Sequence, residues 1–213
     1  MPDITNISKT YGEHRVLDHF SFRMEEGKTT CIMGRSGCGK TTLLRILMGL
    51  EKPDDDFGGH SELEALKKSA VFQEDRLCEN LSVMANIRLT CPDRTKAQVL
   101  EEMGRVGLEG CESQPAHELS GGMKRRVALL RALLAPCDIL FLDEPFKGLD
   151  EETKKKSIAY TAGACQGRTV LFVTHDEREA RLMRAAAVIS MDKEAADSRV
   201  SLDGENEACC REG

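Results

Sequence analysis

Apolar residues along this chain fall into two rhythms. One is short and unbroken: "KTTCIM" at 28–33, "AVFQ" at 70–73, "DILFLD" at 138–143 and "TVLFVTH" at 169–175. Runs this short, with no polar alternation, suit strands buried on both faces of a parallel sheet. The other rhythm is helical. Leu43, Leu44, Leu47 and Leu50 recur at three- and four-residue steps in 40–50, and Val99, Met103 and Val106 share a side of 95–108, with Gly107 as its stop. Segments 120–135 and 154–166 read as further helices, and 177–191 as a helix passing into a strand. Segment 15–24 alternates in part, as a half-buried strand does, and 51–61 is a polar turn region.

Strands and helices that alternate in this way predict an α/β fold around a parallel sheet. The interval 74–135 carries helical segments without matching strands, which predicts a helical lobe inserted into the sheet domain. No internal repeat is present. Residues 1–191 are expected to form one domain, and 192–213 a weak edge element followed by a polar tail.

Composition narrows the class. Forty per cent hydrophobic residues suffice for a core, but with no tryptophan and 4% aromatics that core must be aliphatic. The net charge of −6 argues against a nucleic-acid partner, which calls for a basic footprint. The richest apolar run, "VALLRALLA" from Val127, is interrupted by Arg131 and falls short of the ~18 unbroken apolar residues of a membrane span. The N-terminus lacks the basic start and apolar run of a signal peptide, so a cytosolic chain is expected. Nine cysteines, an odd number with none in CxxC spacing, fit scattered thiols in a reducing compartment rather than a disulfide framework. Cys209 and Cys210 lack a nearby histidine that would make them a metal site.

The chemistry concentrates at "GRSGCGKTT". Gly34, Arg35, Ser36, Gly37, Cys38, Gly39, Lys40 and Thr41 fit GxxxxGK[ST], between a predicted strand and a predicted helix, with Thr42 following. Glycines let successive N–H groups curl around phosphate oxygens, and the helix adds its positive end. Lys40 would supply charge to the outer phosphates, and the Thr41 hydroxyl a Mg²⁺ ligand. The motif specifies a nucleoside triphosphate but does not separate kinase, GTPase and ATPase. "ILFLDEP" narrows this: Asp143 ends a buried strand, where it can hold the Mg²⁺ shell, and Glu144 can orient or deprotonate an attacking water.

With "ELSGGMKRR" added, residues 3–191 resemble an ATP-binding cassette subunit, with Leu119, Ser120, Gly121 and Gly122 as its signature motif. Further positions fall in the family's order: Tyr11 for adenine stacking with Val16 beside it, Gln73, Gly148-Leu149-Asp150 and His175. The resemblance implies a P-loop sheet with a small antiparallel β subdomain and an α-helical lobe. It implies ATP and Mg²⁺ as cofactors, Glu144, His175 and Gln73 in catalysis, and Thr41, Gln73 and Asp143 at the metal. Two copies would pair head to tail, with Ser120, Gly121 and Gly122 of one completing the site of the other. Partners would be transmembrane permease subunits on the cytoplasmic membrane face and an extracytoplasmic substrate-binding protein.

The segment from Gln73, "QEDRLCENLSVMANI", together with "DEPFKGLD" at 143–150, looks like importer cassettes for nitrate, sulfonate, taurine and related nitrogen-heterocycle solutes. An exporter or lipoprotein-release cassette, and a cassette ATPase acting on ribosomes or DNA, remain open alternatives. The chain departs from the family pattern in three places. The connection from Pro53 to Val71 is short, so the antiparallel subdomain is expected to lose a strand. Arg125 stands where many relatives have glutamine, and Lys147-Gly148 replaces a pair of small residues.

Overall fold

The computed structural model describes residues 2–192 and the two-residue strand Arg199–Val200. The chain opens with an antiparallel pair, β1 (Asp3–Tyr11) and β2 (His14–Arg23), turned by Gly12 at φ +58°. Ile4, Ile7, Leu17 and Phe22 face inward from it. Among the described residues this sheet has two strands, and past them one isolated bridge joins Thr5 to Gly58, with Gly58 N donating to Thr5 O at 2.9 Å.

The rest is the α/β body. It comprises β3 (Thr29–Met33), α1 (Lys40–Leu47), α2 (His60–Ala65), β4 (Lys68–Val71), α3 (Val83–Arg88), α4 (Lys96–Arg105) and α5 (Gly121–Leu134). Then follow β5 (Ile139–Asp143), α6 (Glu151–Ala164), β6 (Thr169–Val173), α7 (Glu177–Leu182), β7 (Ala187–Ser190) and β8 (Arg199–Val200). The sheet runs in the order β4-β5-β6-β3-β7-β8, parallel except for β8.

The unbroken apolar runs are the central strands, and alternate residues feed two cores. Ile32, Ile139, Phe141, Leu171 and Val173 pack toward α1 and the β1–β2 pair. Cys31, Leu140, Leu142, Val170 and Phe172 pack toward α5, α6 and α7. A third cluster unites α3, α4 and one side of α5: Val83, Ile87, Val99, Met103, Val127, Leu130 and Leu134. Helix α5 therefore joins the helical cluster to the sheet, because Leu129, Ala132 and Leu133 on its other side belong to the sheet core.

Local signals set most helix ends. Thr95 and Gln98 form a reciprocal capping box on α4, and Gly107 at φ +68° follows its end. Two expectations need correction. Leu50 is not on the buried face of α1: the helix ends at Leu47, Gly49 turns at φ +74°, and Leu50 is 56% exposed. Helix α2 begins inside the region read as a turn, because Phe57 and Leu63 find the β1–β2 core and override weak local preference. The expected edge element coincides with β8, and the remaining tail, including Cys209 and Cys210, lies outside the described residues.

Candidate functional site

Strand β3 lies between β6 and β7, so its C-terminal end opens at the middle of the sheet. The glycine loop starts there. Gly37 and Gly39 adopt φ +81° and +103°, a region that costs other residues energy, and this turns the loop back over the start of α1. There is no room for a side chain at Gly39: a Cβ would lie 2.7 Å from Val16 Cγ1 and 3.2 Å from Leu17 Cδ2. At Gly34 a Cβ would meet Cys38 Sγ at 2.7 Å. The backbone is thus drawn against β2, with Val16 directly behind the loop. Arg35 N donates to Asp192 Oδ1 at 3.0 Å and ties the loop's outer edge to the chain just after β7.

Lys40 is the first residue of α1 and only 6% exposed, yet it makes no ion pair among the described residues. Its ammonium donates instead to the carbonyls of Gly34 at 2.6 Å and Arg35 at 2.8 Å, so the cation is folded into the loop. One residue on, Thr41 Oγ1 donates to Asp143 Oδ2 at 3.0 Å. Burial pushes the Asp143 carboxyl above the usual carboxylate range; the Thr41 hydrogen bond opposes this and the Glu144 charge adds to it. A hydroxyl and a desolvated carboxylate that share a site beside a phosphate-type cradle fit a small hard cation. Thr42, half-buried on α1, follows them.

Glu144 leaves β5 in the left-handed region at φ +44°. Its N–H donates to Val173 O at 3.0 Å, and its carboxylate lies 3.3 Å from His175 Nδ1 and 3.4 Å from Lys147 Nζ. His175 follows β6 and is held from below. Thr174 Oγ1 donates to Glu179 Oε2 at 2.6 Å, and Lys154 bridges Glu179 at 2.5 Å and Asp176 at 3.4 Å. Burial would lower the Lys154 pKa, but the two carboxylates outweigh it and raise it.

Gln73 lies two residues beyond β4, which pairs with β5, so it sits on the same sheet end as Asp143 and Glu144. Its side chain is exposed and, among the described residues, hydrogen-bonds none of them. Tyr11 ends β1; its ring is 47% exposed, its hydroxyl donates to Glu51, and Lys9 Nζ lies 5.3 Å from the ring centroid. Ser36 is exposed on the loop, and Cys38 is half-buried with its sulfur 3.8 Å from Lys40 Nζ.

Ser120, Gly121 and Gly122 stand apart from this cluster. Ser120 caps α5, its Oγ accepting from Met123 N at 3.3 Å, and Ser120 and Gly121 are exposed. Leu149 Cδ2 comes within 3.5 Å of where a Gly122 Cβ would be, and Asp150 caps α6. Hydrogen bonds from Thr153 hold the Asp150 carboxyl below its usual range. The start of α5 is thus exposed at Ser120 and Gly121.

Two residues join the site without having been read into it. Lys147 pairs with Glu144, and the buried Arg125 reaches the loops after both β4 and β5. A signal for Arg125 was available: it shares a helical face with Leu129, Ala132 and Leu133, which marks it as inward-facing.

Comparison with known proteins agrees with this geometry. The profile described as "ABC transporter" matches residues 17–147. The aliphatic sulfonates import ATP-binding protein SsuB 1 of Rhodococcus jostii is 40% identical over 198 residues, covering 90% of this chain and 79% of the relative. The SsuB of Bacillus cereus is 38% identical over 199 residues, covering 88% and 78%. Among solved structures, the dimeric post-hydrolysis state of the ATP-binding cassette MJ0796 with ADP and Pi superposes at a TM-score of 0.76. It is 30% identical, with 89% of this chain and 94% of that chain covered. With the glycine loop, the strand-end carboxylates and the exposed start of α5 in one fold, and with these relatives, the chain belongs to the ABC transporter family as an ATP-binding cassette.

Proposed function

We propose that this cassette hydrolyses ATP to drive a membrane importer of small sulfonates or related oxyanions. One observation carries the ATPase reading: the Lys40 loop, the Thr41–Asp143 pair and the Glu144–His175 pair converge at the C-terminal ends of adjacent strands. The loop N–H groups and Lys40 would hold the phosphates, and Tyr11 the adenine, with Val16 behind. Thr41, Asp143 and Gln73 would hold Mg²⁺, which neutralises phosphate charge when bound. Glu144 would take the proton from the attacking water, and His175 would touch the γ-phosphate and keep the carboxylate oriented. Residues 1–191 would act as one nucleotide-binding domain with its helical lobe at 74–135.

The outward-facing Ser120–Gly122 segment supports a head-to-tail pair of chains with two composite sites, an arrangement in keeping with the dimeric cassette that resembles this one. Substrate class and direction rest on the names of the relatives and on the likeness around Gln73. Among the described residues no helix is long and apolar enough to cross a membrane. Permease subunits would therefore supply the path, a separate extracytoplasmic binding protein the specificity, and the cassette would dock on the cytoplasmic face.

Tagged Glu144→Gln protein, held with ATP and captured from membranes in mild detergent, tests this. Recovery of a polytopic permease together with a sulfonate-binding protein is expected. Recovery of ribosomal, DNA-associated or exporter partners alone overturns the importer reading.

A further inference from the structure

Arg125 lies one turn into α5 and is 3% exposed. A buried guanidinium has five donors to satisfy, and here every nitrogen is engaged. Nε donates to Pro145 O at 2.9 Å, and Nη2 to Asp143 O at 2.9 Å and Glu144 O at 2.6 Å. Nη1 donates to Phe72 O at 2.5 Å, Gln73 O at 3.3 Å and Asp75 Oδ1 at 3.2 Å. All but one of these acceptors are main-chain carbonyls. Neutralising a charge would need only Asp75; an array of carbonyls fixes the course of the chain.

The carbonyls belong to the end of β5 and to the two loops that leave the paired strands β4 and β5. Glu144 stands in a left-handed conformation, and such a residue persists only where its surroundings over-determine it. Its N–H is bound by Val173 of β6 and its carbonyl by Arg125. Both peptide groups that set the direction of the Glu144 side chain are therefore anchored.

We propose that Arg125 is a positioning residue for ATP hydrolysis. Carried on the helix that Ser120 caps, it locks the backbones of Gln73 and Glu144 to each other and so aims the Glu144 carboxylate at the attacking water. This rests on the reading of Glu144 as general base. Lysine would bring charge without the planar fork that spans two loops, and methionine would keep the stem without any donor.

The test is single-turnover hydrolysis of Mg²⁺-ATP by the purified chain, with nucleotide affinity measured alongside, for parent, Arg125→Met, Glu144→Gln and the double variant. Displacing a group by about an ångström costs on the order of 100-fold in rate, so Arg125→Met should slow hydrolysis about 10- to 100-fold. Nucleotide affinity should stay within about threefold, and in the Glu144→Gln background the Arg125 change should cost less than about twofold, because residues acting through one another are non-additive. A parental rate for Arg125→Met overturns the proposal. So does an equal fold-loss in both backgrounds, which is what general weakening of the fold would produce. Should Arg125→Met fail to fold, Arg125→Lys, which keeps the charge without the planar fork, is read by the same two criteria. Glu144→Gln turning over ATP at the parental rate instead removes the base assignment itself, an outcome distinct from either.

Discussion

The Thr41 hydroxyl donates to Asp143 Oδ2 at 3.0 Å, joining two residues 102 positions apart in sequence. It links the first turn of α1 to the end of β5, and in doing so it brings the glycine loop and the strand-end carboxylate into one site. The carboxylate is held there against its own solvation.

Asp143→Asn follows from that tension. Burial raises the Asp143 pKa, so the charged form costs the folded state, and a neutral isostere removes the cost. The nucleotide-free protein should melt about 2–4 °C higher. Titrations of an ATP analogue with and without Mg²⁺ should at the same time lose their difference. A lower melting temperature with Mg²⁺ dependence intact would refute the pairing.

Lys40→Ala removes the cation that bridges the carbonyls of Gly34 and Arg35. Charge-assisted contacts to phosphate are the strong ones, so affinity for a fluorescent ATP analogue should fall about tenfold or more. The circular dichroism spectrum should be unchanged.

Tyr11 separates ring from hydroxyl. The exposed ring is available for stacking, while the hydroxyl is already committed to Glu51. Tyr11→Phe should therefore bind ATP within about twofold of parent, and Tyr11→Ala should bind more weakly by roughly 1 kcal/mol, as for loss of an aromatic contact. Equal losses in the two variants would assign the effect to the hydroxyl.

The thiols provide a pH signature. Burial, with the Glu179 charge assisting, pushes Cys31 up to about 12, and burial pushes Cys165 up to about 11, from an ordinary 9.0. The unfolded chain gives up these protons first. Their contribution to stability is thus complete below pH 9, and is lost as pH rises from there through about 11 and then about 12. Urea midpoints should fall between pH 8.5 and 10.5, and less so in Cys31→Ala. At neutral pH a maleimide should label exposed Cys78 and half-buried Cys38 long before Cys31 or Cys165, as mass spectrometry would show.

The parallel strands were legible because each is unbroken apolar chain, and burial on both faces leaves no other pattern to write. The glycine loop was equally plain, since its spacing follows from backbone geometry. The same reading extended the apolar face of α1 to Leu50, where a glycine turn had already ended the helix. It passed over α2, whose few residues are held by Phe57 and Leu63 rather than by propensity. Arg125 and Lys147 were visible as departures but not as participants. A charged side chain reveals its partners only when the loops it bonds are folded; Gln73 and Glu144 follow two strands that are far apart in sequence and that only the sheet makes adjacent.

Glu144 occupies a backbone conformation that suits glycine, at φ +44°. Glycine there would relieve about 1 kcal/mol of strain and remove the carboxylate. Selection for heat resistance and selection for turnover therefore pull this position in opposite directions. With Glu144 as the proposed base, a library screened for thermal survival alone would tend to shed the acid and accumulate robust, inactive chains, whereas selection for turnover keeps the strained residue and makes up the stability elsewhere.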